Sequence, residues 1–170
     1  MNTFSNIAFN ISDLPKLEEL SYNPLNKKYL TVSMIYRAVV FAPLIGAIVI
    51  NYMKTIPYFM IILGVTSVII LLLFILGYFS FFKKGYALRE KDVSYKSGLI
   101  FHKITTVPLN RIQHTEVVRE PVSRMFGLAA VKIYTAGGAT SDIVIPGIEA
   151  EKAEQIREFI NDKIKTDDAE

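Results

Sequence analysis

The sequence predicts a two-helix transmembrane hairpin followed by a small α+β domain of bent antiparallel sheets closed by a C-terminal helix. Three observations carry that reading. From Thr55 to Phe82 the chain runs 28 residues without a charge, where about 20 apolar residues suffice to cross the hydrocarbon core as a helix. After Lys83 and Lys84 the apolar pattern switches to period two, the spacing of half-buried strands. From Glu149 to Lys165 it switches again, placing Ala153, Ile156, Ile160 and Ile164 on one helical face.

Composition agrees. The 170 residues suffice for one domain and an anchor, not for a multi-domain enzyme with its own cofactor module. Apolar residues make up 51% of them and the mean hydropathy is +0.33, both high for a water-soluble chain. The absence of cysteine excludes disulfides, thiolate metal sites and a catalytic thiol, and two histidines leave little for a histidine-rich metal site. The net charge of +3 divides unevenly: +2 over residues 1–82, +6 over 83–132 and −5 over 133–170.

Taken in order, residues 1–30 form an N-terminal cytoplasmic segment. Within it Ser12–Leu20 reads as a short helix capped by Ser12 or Asp13, with Pro15 in its first turn. Its leucines fit the membrane surface or the later domain, and a disordered tail fits equally. The hairpin occupies 31–82, with helices at about 32–53 and 56–80. The first is uncharged from Ala38 to Met53 and extends back if Arg37 snorkels to the interface. Pro43 predicts a kink. Ala38, Ala42 and Gly46 make a small-residue stripe, read as packing within the hairpin in preference to a dimer contact. Tyr58, Phe59 and Tyr78 sit where an aromatic belt belongs. Lys27, Lys28 and Arg37 flank one end, Lys83, Lys84 and Arg89 the other, and the turn near Asn51–Ile56 holds only Lys54. Both termini are therefore expected in the cytoplasm, and the first helix is expected to remain as an anchor.

The domain fills 83–165, with residues 166–170 as a frayed tail. Strands are expected through Val93–Lys96, Leu99–Val107, Ile112–Arg119, Leu128–Thr135 and Ser141–Pro146, with turns at Ser97-Gly98 and Ala136–Ala139 and a turn or short helix over Pro121–Gly127.

Three stretches here stand at characteristic positions: Pro108-Leu109-Asn110-Arg111-Ile112-Gln113, Arg124-Met125-Phe126-Gly127-Leu128, and Thr135-Ala136-Gly137-Gly138. Together they make Asn26–Ile164 resemble the bacterial pleckstrin-homology domain of the second type, found in YdbS-like membrane proteins with a two-helix anchor upstream. The resemblance implies a pleckstrin-homology-like fold, seven strands in two bent sheets capped by a helix and held to the cytoplasmic face. About six strands are legible, counting one ahead of Glu90, so either Leu99–Val107 is split or one strand is missed. Eukaryotic relatives that bind phosphoinositides use a basic loop between the first two strands. Here that loop reads Glu90-Lys91-Asp92, which disfavours such a ligand.

No constellation reads as catalytic. His102 and His114 lack partners at metal spacing, Ser80–Lys83 fits an S-x-x-K pattern at a membrane helix end without companion motifs, and Gly137-Gly138 lacks the lysine and helix start of a phosphate loop. No enzyme activity, cofactor, metal, nucleic acid or small-molecule substrate is expected. The candidate lipid- or partner-binding residues are Lys83, Lys84, Arg89, Arg111, Arg119 and Arg124. Arginine suits phosphate or carboxylate, but internal pairing of Arg111, Arg119 and Arg124 with Glu116 and Glu120 is the preferred reading. The expected function is a protein-interaction or self-assembly platform on the cytoplasmic face of the bacterial inner membrane, with the bilayer itself as a second partner. The alternatives are an anionic-lipid-binding module or an accessory subunit of an envelope or transport complex.

Overall fold

The computed structural model describes residues 21–52, 59–136 and 143–167. The expected short helix at Ser12–Leu20 therefore lies outside the described residues, as do Lys54 and the glycine turn at Gly137-Gly138. Among the described residues two helices are long and apolar enough to cross a membrane, α1 (Lys28–Tyr52) and α2 (Phe59–Phe81). Val40, Ile50, Val68 and Leu71 on their outer sides are more than 60% exposed, an apolar surface suited to lipid and not to water. Helix α1 runs through Pro43 without a break.

The expected small-residue stripe does not face α2. Ala38 and Ala42 are exposed, and a Cβ built on Gly46 meets nothing within 4 Å. Larger side chains decide the crossing instead: Phe41 meets Phe74 with ring centroids 6.2 Å apart, and the Arg37 guanidinium lies against Gly77.

Among the described residues the domain has seven strands. A four-stranded antiparallel sheet is ordered β1 (Asn23–Pro24), β2 (Gly85–Leu88), β3 (Asp92–Ser97), β4 (Lys103–Pro108). A three-stranded one is ordered β5 (Ile112–Val118), β6 (Leu128–Thr135), β7 (Ile143–Glu149), with α3 (Pro121–Met125) between β5 and β6. Helix α4 (Ala150–Asp167) closes the fold, burying Ala153, Ile156 and Ile160 against Ile133, Ile143 and Ile145. The period-3.6 pattern thus marked the buried face of α4, whereas strict alternation fails on β3, where the adjacent Val93 and Ser94 are both fully buried. The run from Leu99 is not split into two strands: residues 98–102 are a loop, and the single strand β4 begins at Lys103 opposite Ser97.

The missing strand is β1, and it precedes the hairpin. Asn23 pairs with Tyr86 and Pro24 with Gly85, so the membrane helices are inserted between the first two strands of the domain. Proline is admissible because β1 is an edge, where its absent N–H costs no ladder bond. The expected boundary between an N-terminal segment and the domain is accordingly crossed by β1, and the expected first inter-strand loop, Glu90–Asp92, joins the second and third strands. Leu25 and Phe81 belong to the domain core, Val32 is fully buried, and Asn26 N donates to Gly147 O at 3.0 Å. The base of the hairpin is thus part of the folded domain.

Candidate functional site

Strand direction gives the domain two ends. Strand β2 leaves the hairpin at Gly85 and runs outward, β3 returns, and β4 runs outward again. Lys83, Lys84, the 98–102 loop and α3 therefore lie at the hairpin end. The Arg89–Asp92 turn and Leu109–Arg111 lie at the far end, joined by Leu109 N donating to Lys91 O at 2.9 Å.

This geometry splits the six basic residues singled out above. Lys83 is exposed at the hairpin end, while Lys84 is half-buried with its ammonium 5.9 Å from the Tyr29 ring centroid. Burial, and then the Arg37 charge, push the Lys84 pKa below the usual lysine value. Arg124 is exposed at the same end, on α3. Arg119 pairs with Glu154 on α4, Nη2 to Oε1 3.4 Å, and not with Glu116 or Glu120. Arg89 closes the far turn, Nε to Asp92 Oδ1 2.6 Å with its N–H on Asp92 O, and Arg111 is exposed beside it. Arg89 and Arg111 thus cannot share a membrane surface with Lys83 and Lys84.

The carboxylates expected to pair with arginine have other partners. Glu116 accepts from the Tyr134 hydroxyl at 2.9 Å, which raises the Tyr134 pKa, and Tyr134 stacks on His114 with centroids 4.3 Å apart. His102 lies in the β3–β4 loop, exposed. Among the described residues no three His, Asp or Glu side chains converge as a metal site.

A further feature of the domain is the groove between β2 and α4. A cavity of about 380 Å³ is lined by Tyr86, Leu88, Ile156 and Phe159, with Asn23, Lys152 and Gln155 at its rim. Strand β1 covers β2 only at Gly85 and Tyr86, so along the groove the outer edge of Ala87 and Leu88 is not paired with β1. The rim is fixed by Glu149, which bonds Lys152 Nζ at 2.9 Å and accepts from Asn26 Nδ2 at 2.9 Å. Those hydrogen bonds, Lys152 first, hold the Glu149 carboxyl below its usual value. Phe159 carried a faint signal: three residues after Ile156, it stands on the shoulder of the α4 apolar face, where a side chain is neither core nor solvated.

The profile for the bacterial PH domain matches residues 34–164. The UPF0699 transmembrane protein YdbS of Bacillus subtilis (strain 168) is 33% identical over 76 residues, a stretch covering 45% of this chain and 46% of that protein. No solved structure matches. The match begins inside α1 and ends inside α4, so it takes in both membrane helices and six of the seven strands. This YdbS-like membrane protein therefore belongs to the bacterial PH domain family.

Proposed function

We propose that the chain is a non-enzymatic, membrane-anchored platform that docks an extended segment of a protein partner on its PH-like domain. The observation that carries the proposal is the groove between β2 and α4, an apolar trough beside a strand edge. Such an edge offers backbone N–H and C=O groups to an incoming strand, and the trough takes its alternate side chains. In this reading the hairpin spans the bacterial inner membrane with both termini in the cytoplasm, which Lys27, Lys28, Lys83 and Lys84 support.

A photo-crosslinking residue replacing Phe159 in the full-length chain, in native membranes, tests this. Phe159 is 36% exposed, so its replacement leaves the core intact. A discrete adduct is expected from this position and none from Val144, on the outer face of the second sheet. The adduct should vanish on Leu88→Asp. Equal labelling from both positions, or none from Phe159, refutes the docking groove, and an adduct at twice the chain mass identifies a second copy as the occupant.

A further inference from the structure

A second groove lies on the other side, where the 98–102 loop stands against the hairpin. Arg37, Phe41, Leu73, Leu76, Gly77 and Ser80 form its floor, and Gly98–Phe101 its outer wall, around a cavity of about 430 Å³. From this we infer a phospholipid site, with the lipid phosphate on Arg37, an acyl chain along Phe41, Leu73 and Leu76, and the loop tip inserted in the same leaflet.

Depth is the first argument. Leu73 lies eight residues before the end of α2 at Phe81, about 12 Å along the axis at 1.5 Å per residue. A loop that lines one cavity with Leu73 and Ser80 therefore stands beside the last two turns of the membrane helix. Those turns present Tyr78, Phe79 and Phe82 outward, each more than 40% exposed, as an interfacial aromatic belt does. The loop itself is Leu99-Ile100-Phe101, with Ile100 68% and Phe101 86% exposed. In water that is an uncovered apolar tip; at this depth it is solvated by lipid. Lys96, His102 and Lys103 bracket the tip, the arrangement that places cations at the headgroup level.

Arg37 supplies the second argument. Its Nη1 donates to Met34 Sδ at 3.4 Å, a weak acceptor, and among the described residues no carboxylate is within ion-pair distance. The guanidinium rests on α2 only because residue 77 is glycine, since a Cβ there would collide with it. A planar cation without an anion, facing an apolar groove at the membrane boundary, matches the two free oxygens of a phosphodiester. The site depends on the helices crossing a bilayer and is independent of the β2–α4 groove.

The chain has no tryptophan, so Phe101→Trp introduces a single reporter at a position without packing duties. In proteoliposomes of phosphatidylethanolamine and phosphatidylglycerol with brominated acyl chains, the full-length variant should show blue-shifted emission and lose most of its intensity. Tyr134→Trp, at the far end of β6, should be unquenched. Equal emission from the two overturns the inserted loop. Native mass spectrometry of the full chain should find a retained phospholipid on the wild type and on Arg37→Lys and its loss from Arg37→Leu. Gly77→Leu, which fills the guanidinium seat from α2, serves the same purpose if Arg37→Leu does not accumulate. Equal retention by all variants would mean annular lipid only and would overturn the phosphate seat.

Discussion

Replacing Gly147 by alanine tests whether the hairpin base is built into the domain. Gly147 has φ +66° at a bulge in β7, where Ala129 faces Ile148 and Val131 faces Ile145. The left-handed conformation costs a residue with a Cβ about 1–2 kcal/mol. The Tyr29 side chain from α1 lies directly over the glycine, so a new Cβ would overlap its Cβ and Cγ. Overpacking of that kind adds about 1–3 kcal/mol. Gly147→Ala should therefore destabilise by about 2–5 kcal/mol in all. Gly127 is the control: its φ is +70°, yet nothing lies within 4 Å of a built Cβ, so Gly127→Ala should cost only the conformational part, about 1–2 kcal/mol. Thermal unfolding of the full-length chain in mild detergent, followed by circular dichroism, reads the difference as roughly 2–4 °C per kcal/mol. In a Tyr29→Gly background, which removes the Cβ together with the ring, the collision is gone, and Gly147→Ala should then cost no more than Gly127→Ala. Equal effects of the two glycines in the wild type, or an unchanged Gly147→Ala cost without Tyr29, would refute the packing of α1 on β7.

Burial, and then the neighbouring Tyr29, raise the Tyr95 pKa from 10.0 to about 12. Below pH 10 the phenol is neutral folded or unfolded and its contribution is intact; from pH 10 to 12 only the unfolded chain ionises, so stability falls. Tyr95→Phe should flatten that alkaline loss in a pH series of unfolding midpoints, and an unchanged slope would place the ionisation elsewhere. Arg89→Ala opens the turn closed by Asp92, and because both side chains are partly exposed it should cost no more than about 1 kcal/mol in the same melt. Ser94 is fully buried, and its hydroxyl bonds Thr106 Oγ1 at 2.7 Å. Ser94→Ala should destabilise by about 1 kcal/mol, with Thr106→Ala adding little to it. Gly127→Val, a β-branched residue in a left-handed position, should cost about 1–3 kcal/mol, and an unshifted melt would mean the turn is not constrained.

The sequence by itself determined which faces would be buried. Hydrophobicity is a local property, so the charge-free run specified α2, the spacing of Ala153, Ile156 and Ile160 specified the inner face of α4, and alternation marked the strands after Lys84. Only the tertiary structure decided which partner each face or charge met. Strand β1 was illegible because two residues, Asn-Pro, carry no period, and their partners at Gly85 and Tyr86 lie beyond the whole hairpin. Backbone N–H and C=O groups pair irrespective of side chain, so no local pattern announces such a strand. For the same reason Arg119 took Glu154 on α4 over the nearer Glu116 and Glu120, and Arg37 came to rest on Gly77, forty residues away in sequence. Charge sets what a side chain seeks; the folded backbone sets what lies within its reach.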